Sequence, residues 1–392
     1  MNPKNDLAAF RFLVSTEIVF GEGMLDSLGK RCTGLGSKPL VVTGKGSAKR
    51  SGALDRLLTQ LPNAHVYDGI DENPTTAACE QGAKICREQG CDFVAAIGGG
   101  SPIDVAKAVA VLATNPGPCA VYFGSEKFTS PPLPIVAVPT TAGAGSETTP
   151  YSVIVDEATQ TKNTIRGRGL FPAIALLDPV LTVSMPEHVT INSGLDALSQ
   201  GLEGMVARNA TPMGDLLALE TCRIVHEWLP KVVESPNDME ARAQMLYAAM
   251  LSGCVIAQSG TTLVHGMGYA YTTECGVVHG RANALLLTPL MEFNARYRPS
   301  KVATLCGAMG WPTETDPQSA GQTIGALLHD LLAKLGVSPA ARDAGVDRGK
   351  LEDFARALHA NEGRLRNQPG SPSRSEIEGL YAQSYEGKRV FA

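Results

Sequence analysis

Short, almost wholly apolar runs alternate with segments of helical periodicity through the first half of the chain. Four runs have the length and the Val, Ile, Leu and Ala content of buried strands: 40–43, 64–67, 93–97 and 134–138. Helical patterns separate them, among them 75–89, which ends before Gly90, and 104–112. Strands that alternate with helices predict right-handed βαβ units and therefore a parallel sheet.

The pattern changes between residues 179 and 186. Beyond that point strand-like runs stop, and helical periodicity marks segments such as 211–228, 238–255 and 351–360. A loop rich in Pro, Gly, Ser and Arg over 361–374 predicts an exposed segment, and Ser375 with Glu378 has the capping-box pattern of a last helix that ends at Tyr385. We predict a chain of class α/β plus all-α, with a Rossmann-like parallel-sheet domain over 1–182 and a helical domain over 183–392.

Composition narrows the class of protein. The 392 residues are enough for two domains with large cores, and 44% of them are hydrophobic. The net charge of −5 gives no overall attraction to nucleic acid or to an anionic membrane, so we expect neither partner. The nine cysteines include no Cys-x-x-Cys pair, and neither a signal sequence nor a run of ~18 apolar residues is found. We expect a reduced, soluble, cytoplasmic protein.

Two glycine-containing loops follow predicted strands. Gly98, Gly99, Gly100 and Ser101 lie between a strand and a helix, where backbone N–H groups and a helix N-terminus favour a pyrophosphate. A tight strand-to-helix turn would need the same residues. The second loop, 139–149, is rich in Thr and Ser at the end of the next strand and suits a ligand crevice. Two such loops together favour a dinucleotide over two unrelated turns.

Possible metal ligands occur in the second half. Asp196 and Gln200 are four residues apart and share a helix face, and His265 and His279 lie in apolar, glycine-containing segments. One carboxylate and two imidazoles would suit a divalent transition metal, whereas each histidine read alone is an ordinary core residue. Periodicity cannot bring these side chains together.

The chain resembles the iron-dependent, or group III, alcohol dehydrogenase family along nearly its whole length. The resemblance is carried by Gly98-Gly99-Gly100-Ser101-x-x-Asp104, by the segment Pro139 to Glu147, by Asp178-Pro179 and Asp196-Ala197-Leu198, and by His265 with His279-Gly280-x-x-Asn283-Ala284. It implies the dehydroquinate-synthase-like fold, a nicotinamide cofactor, a small alcohol or aldehyde substrate, and a homodimer or larger homo-oligomer.

The resemblance also assigns residues by position. The proposed cofactor residues are Gly99, Gly100 and Ser101 for the pyrophosphate, Asp104, Thr140, Thr141 and Thr149 near the nicotinamide, and Asn73, Lys162 and Leu181 for the remainder. The proposed metal residues are Asp196, His265 and His279, with Fe²⁺ as the family's usual metal.

One metal position departs from the family. The family usually has a histidine four residues after the aspartate, where this chain has Gln200. Glutamine is a weaker ligand than imidazole for Fe²⁺. Gln200 could bind through its amide oxygen, water could replace it as in related zinc enzymes, or the metal could be lost as in maleylacetate-reductase-like relatives. Because the other three residues remain, we favour a retained metal, Fe²⁺ or alternatively Zn²⁺.

Further departures concern the substrate and the cofactor. Tyr269 stands where many relatives have histidine, one turn after His265, and could relay a proton or only pack. Arg281 could attract an anionic substrate or lie on the outer side of its helix. After the first strand, Gly44 replaces an acid that would favour NAD, and Ser47 follows among nearby cations, which are Lys45, Lys49 and Arg50. This favours NADP, with NAD as the alternative.

We therefore expect an NAD(P)-dependent, metal-assisted oxidoreductase that interconverts a small alcohol and its aldehyde or ketone. The alternatives are a metal-free reductase of the maleylacetate-reductase type and a hydroxyacid–oxoacid transhydrogenase. A dehydroquinate-synthase-like lyase is disfavoured because the segments around Asp196 and His265 contain few cations.

Overall fold

The computed structural model describes residues 9–159 and 161–389, which form two compact units. The sheet unit is made of Ser15–Ala197 and Glu227–Gly253. The helical unit is made of Leu198–His226 and of the described residues before Ser15 and after Gly253.

All nine described strands belong to the sheet unit. They are β1 Glu17–Phe20, β2 Pro39–Gly44, β3 His65–Ile70, β4 Phe93–Gly98, β5 Gly124–Ser125, β6 Ile135–Pro139, β7 Tyr151–Asp156, β8 Thr161–Arg166 and β9 Ile174–Leu177. The helices of the same part of the chain are α1 Leu28–Arg31, α2 Ser47–Arg50, α3 Ala53–Gln60, α4 Thr76–Glu88 and α5 Gly100–Thr114. The four predicted strands and both predicted helices are confirmed, and α5 begins four residues earlier than predicted because Pro102 is tolerated in a first helical turn.

Six strands form one parallel sheet in the order β1-β9-β6-β4-β2-β3. Alternate residues of each central strand face opposite cores, so Leu40 and Val42 pack with α4 and α5 while Val41 packs with α3. Burial on both faces explains why these strands are apolar throughout. The chain passes from β2 to β3 on one side and returns to β4 on the other, which places a ligand crevice at the carboxyl ends of β2 and β4.

A second sheet escaped the sequence analysis. Strands β7 and β8 pair antiparallel, and β5 adds to β8. The sequence of β8, Thr-Lys-Asn-Thr-Ile-Arg, is polar, and its pairing with β7 defines it as a strand.

Long helices make up the rest of the chain. They are α6 Glu187–Val206, α7 Pro212–Glu234, α8 Met239–Ser259, α9 Leu263–Cys275, α10 His279–Ala295, α11 Pro299–Ala308, α12 Pro317–Lys334, α13 Leu351–His359, α14 Glu362–Leu365 and α15 Arg374–Glu386. The predicted fold class, a parallel sheet followed by a helical part, is confirmed. In the described ranges no one helix has the length and apolarity needed to cross a bilayer, and only the bent pair α8 and α9 meets those criteria together.

Two predictions about the C-terminal region were wrong. The capping box is formed by Ser373 and Glu376, not by Ser375 and Glu378, since the same Ser-x-x-Glu spacing occurs two residues earlier. The segment 361–374 is also only partly exposed. Asn367 Nδ2 donates to the carbonyl oxygens of Ser259 (2.7 Å) and Thr261 (2.8 Å), and buried Gln368 accepts from the backbone N–H of Leu263.

Candidate active site

The first glycine loop joins β4 to α5. Gly98 has φ +152°, a value that L side chains rarely adopt, and a β carbon on Gly100 would lie 2.9 Å from Cβ of Ala144. The loop therefore needs glycine, and it presents backbone at the N-terminus of a fifteen-residue helix. Ser101 lies in the first turn of α5, and its hydroxyl donates to the carbonyl oxygen of Glu72 at 2.5 Å. This geometry suits a pyrophosphate.

The second loop lies beside the first. The backbone N–H of Thr140 donates to the carbonyl oxygen of Gly98 at 2.8 Å, and Thr141 Oγ1 would be 3.3 Å from a β carbon on Gly99. The two loops predicted from sequence therefore meet at one edge of the sheet. Gly44 ends β2 at the same edge.

A buried cation that the sequence analysis missed ties the second loop to α5. Lys107 Nζ donates to the carbonyl oxygens of Ser146 (2.6 Å), Thr149 (2.9 Å) and Tyr151 (2.7 Å) and lies 3.0 Å from both hydroxyls of Ser146 and Thr149. Complete burial lowers the pKa of Lys107 to about 8, although Asp104 and Glu147 oppose that shift. The sequence feature that could have revealed this buried cation is the single lysine in the apolar run of α5.

Asp104 takes part in the same cluster. One carboxylate oxygen accepts from the Ser146 hydroxyl at 2.6 Å, and the other accepts from the backbone N–H of Val153 at 3.0 Å. Burial raises the pKa of Asp104, and the neighbouring Lys107 opposes that rise. Both carboxylate oxygens of Asp104 are therefore hydrogen-bonded within the protein.

Other predicted cofactor residues lie in varied surroundings. Asn73 and Ser47 are exposed, Lys162 is half-buried on β8, and Leu181 is buried in the core that α3 covers. Near Gly44, the Lys45 ammonium pairs with the Asp71 carboxylate at 2.5 Å, and the Arg50 guanidinium lies 2.8 Å from where a β carbon on Gly46 would be.

The three predicted metal residues converge. Asp196 on α6, His265 on α9 and His279 on α10 each offer a ligand atom, and these atoms all lie within 4.8 Å of one another. The amide nitrogen of Asn283 lies 3.2 Å from Nε2 of His265 and 3.4 Å from Nε2 of His279, so both Nε2 atoms point towards the same place. A carboxylate and two imidazoles fit a divalent transition metal. Gln200, buried one turn after Asp196, is carried by the same helix.

Glu203 orients one of these histidines, and sequence reasoning missed it. Its Oε2 pairs with Nδ1 of His265, while its Oε1 accepts from the backbone N–H (2.8 Å) and the hydroxyl (2.7 Å) of Thr262. A carboxylate on Nδ1 fixes the tautomer in which Nε2 can bind a metal. The sequence feature that could have revealed this role is an acidic residue two turns after Asp196 in an apolar stretch of α6.

Tyr269 contacts one of the three predicted metal residues, whereas the guanidinium of Arg281 contacts a backbone carbonyl group. The ring of Tyr269 stacks on that of His279, with centroids 5.6 Å apart and planes 9° apart. The guanidinium carbon of Arg364 lies over the ring of Tyr269, 4.3 Å from the ring centroid. Arg281 donates to the carbonyl oxygen of Ser338, and burial lowers the pKa of its guanidinium.

Comparison with known proteins gives consistent matches. The family described as iron-containing alcohol dehydrogenase matches residues 15–179, and its C-terminal part matches residues 190–385. The chain is 32% identical over 384 residues to 1,3-propanediol dehydrogenase of Citrobacter freundii, covering 96% of this chain and 99% of that protein. It is 34% identical to the probable alcohol dehydrogenase EutG of Escherichia coli over 95% of this chain and 93% of that protein. A crystal structure of 1,3-propanediol oxidoreductase superimposes with a TM-score of 0.92 at 30% identity, over 96% of this chain and 100% of that one.

Proposed function

The chain belongs to the iron-containing alcohol dehydrogenase family, and from this premise we propose that it interconverts a short alcohol and its aldehyde with NADP(H) and a divalent metal. It is an oxidoreductase that acts on CH–OH groups. The observation that carries the proposal is the convergence of Asp196, His265 and His279 in a chain that also has two cofactor-type loops.

The cofactor would lie along the carboxyl ends of β2, β4 and β6. Gly99, Gly100 and Ser101 would bind the pyrophosphate, and Thr140, Thr141 and Thr149 would line the nicotinamide side. The cluster of Lys107 and Asp104 supports this role because it fixes the second loop to α5 before any ligand arrives. Asn73, Lys162 and Leu181 would contact the remainder of the cofactor.

NADP is favoured by the charges at the end of β2. Gly44 offers no carboxylate to repel a 2′-phosphate, and the cations Lys49 and Arg50 follow on α2. Lys45 contributes less, since Asp71 pairs with it. Comparing kcat/KM for NADPH and NADH tests this choice, and a preference for NADH would contradict it.

The metal would be held by Asp196, His265 and His279, with the amide oxygen of Gln200 as a weaker fourth ligand. When bound, the metal would polarise the substrate oxygen and the nicotinamide would give or take the hydride. The protein's part is to orient these groups. Glu203 keeps His265 in its ligating tautomer, and the hydroxyl of Tyr269, beside His279, would pass a proton between substrate and solvent.

The decisive experiment combines metal analysis with turnover. Purified protein, loaded in turn with Fe²⁺ and Zn²⁺, is assayed with both cofactors and a panel of short aldehydes and alcohols. Turnover that needs metal supports the proposal, and no turnover by metal-loaded enzyme overturns it. Equal turnover after chelation would favour the metal-free reductase. Activity with two substrates but no added cofactor would favour the transhydrogenase.

The setting of the enzyme is also a proposal. All nine cysteines are free thiols, which suits a reducing compartment such as the cytoplasm. We further propose, from the family resemblance, a homodimer or larger homo-oligomer, which light scattering on the purified protein would check.

A further inference from the structure

The backbone that leads into His265 is held by hydrogen bonds from outside its own helix. Residues 259–263 join α8 to α9 and form the α8–α9 corner. Glu203 Oε1 accepts from the backbone N–H of Thr262 in this corner at 2.8 Å and from that of His265 at 3.3 Å. Because Glu203 Oε2 also pairs with Nδ1 of His265, one carboxylate contacts both the corner and the imidazole ring.

Asn367 is a second group that holds the α8–α9 corner. It lies in the segment 361–374, whose polar composition predicted exposure, yet its Nδ2 donates to the carbonyl oxygens of Ser259 at 2.7 Å and Thr261 at 2.8 Å. Gly260 between them has φ +69°, and a β carbon there would lie 3.3 Å from the same nitrogen. Both N–H donors of the Asn367 carboxamide are therefore directed at one turn of backbone that needs glycine.

Asn367 also reaches the end of α6. Its Oδ1 accepts from the backbone N–H of Asn209 at 3.1 Å, and its own carbonyl oxygen accepts from the backbone N–H of Arg208 at 3.0 Å. Both partners closely follow α6, and Glu203 lies in the last turn of that helix. Asn367 thus joins the same two parts of the helical unit as Glu203 does, namely the end of α6 and the α8–α9 corner.

The neighbouring Gln368 has a different set of partners. Its Oε1 accepts from the backbone N–H of Leu263 at 3.2 Å, and its Nε2 donates to Oδ1 of Asn294 at 2.5 Å. Asn294 lies on α10 about four turns from His279. Gln368 therefore supports the start of α9 and the far end of α10, whereas Asn367 touches the end of α6, where Glu203 lies.

We propose that Asn367 is a positioning residue for the metal site. It sets the separation of α6 and the α8–α9 corner at which Glu203 can reach Thr262 and Nδ1 of His265 together. This inference rests on the proposed metal-dependent function. Asn367 acts through Glu203, since its own side chain is used up by backbone groups, and supporting contacts of this kind must hold a ligand within about 0.5 Å.

The test measures metal affinity in two variants of the same segment. Zn²⁺ dissociation constants are obtained by chelator competition for wild type, Asn367→Ala and Asn361→Ala. The Asn361 side chain accepts from the backbone N–H of Arg364 at the start of α14, so its removal costs a helix cap but leaves the corner intact. We expect Asn367→Ala to weaken Zn²⁺ binding by about 5- to 10-fold and Asn361→Ala to change it by less than about twofold.

A double variant separates positioning from general destabilisation. If Asn367 acts through Glu203, then Asn367→Ala should weaken Zn²⁺ binding by less than about twofold once Glu203→Gln is present. The same loss of affinity in both backgrounds, or equal losses in Asn367→Ala and Asn361→Ala, would overturn the inference. Thermal midpoints of the metal-free proteins establish that every variant is folded.

Hydrogen exchange separates this inference from the proposed function. The backbone amides of Thr262 and His265 both donate to Glu203, so Asn367→Ala should speed their exchange by about tenfold or more in metal-free protein, and Asn361→Ala should not. If wild type binds no metal but exchange follows this order, the metal proposal fails and the positioning of Glu203 stands. If wild type binds Zn²⁺ but neither exchange nor affinity responds to Asn367→Ala, the positioning role fails alone.

Discussion

Replacing Glu203 by glutamine should weaken metal binding without removing any proposed ligand. In the wild-type protein the two carboxylate oxygens of Glu203 divide their partners, with Oε1 facing Thr262 and Oε2 facing Nδ1 of His265. Glutamine can keep its oxygen on Thr262 only by turning its NH₂ group towards Nδ1. Two donors would then face each other, so His265 would move its proton to Nε2, the nitrogen needed for the metal.

The expected size follows from what such supporting contacts contribute elsewhere. Loss of a carboxylate that orients a ligating histidine lowers metal affinity by about 10- to 100-fold, or about 1.4 to 2.8 kcal/mol. The assay is competition with a chromogenic chelator, which reports the dissociation constants of Zn²⁺ and Fe²⁺ directly and needs no enzyme activity. The thermal midpoint of metal-free protein is measured in parallel because Glu203 is fully buried.

Thr262→Val is the matched control. It removes the hydroxyl that donates to Oε1 at 2.7 Å but keeps the pair between Oε2 and His265. It should lower the free energy of unfolding by about 1 kcal/mol and change metal affinity by no more than about twofold. Metal affinity of Glu203→Gln within twofold of wild type would refute the tautomer argument.

Four further changes test other parts of the site. Gln200→His adds an imidazole one turn after Asp196 and should tighten metal binding at least about tenfold in the chelator assay. An unchanged dissociation constant for the metal would mean that position 200 does not face the metal. Gly44→Asp has room, since a β carbon there meets nothing closer than 3.5 Å, and its carboxylate should shift the kcat/KM ratio from NADPH towards NADH by about tenfold or more. Tyr269→Phe keeps the ring on His279 but removes the hydroxyl, so kcat should fall about 10²-fold if that hydroxyl relays the proton, and full kcat would leave Tyr269 a packing residue. Burial raises the pKa of Glu147 from 4.5 to about 7, so this group stabilises the wild-type protein less as the pH rises from 4.5 to 7, by up to about 1.4 kcal/mol per pH unit. Glu147→Gln should lack this decrease when the free energy of unfolding is measured in denaturant at several pH values. If the free energies of the two proteins changed with pH in parallel, the burial argument would be contradicted.

The sequence predicted the strands β2, β3, β4 and β6 of the central sheet, but neither its strands β1 and β9 nor the second sheet. Strands β2, β4 and β6 are buried on both faces, so their runs of apolar residues were recognisable in isolation. Strands β7 and β8 owe their structure to pairing with each other, and β1 has only four residues beside β9. Pairing between distant segments leaves little trace in local composition, and these strands were missed for that reason.

For the site, the sequence by itself determined the chemistry of the candidate groups. It identified two glycine-containing loops after strands, the residue types of a metal site, and the unusual Gln200. Those features are local, because glycine conformation, helix periodicity and ligand chemistry act over a few residues. Only the tertiary structure decided which of the groups meet. It brought Asp196, His265 and His279 within 4.8 Å, gave Glu203 its place behind His265, and set Arg364 over Tyr269. These contacts depend on how α6, α9, α10 and α14 pack, and packing joins residues that are far apart in the chain.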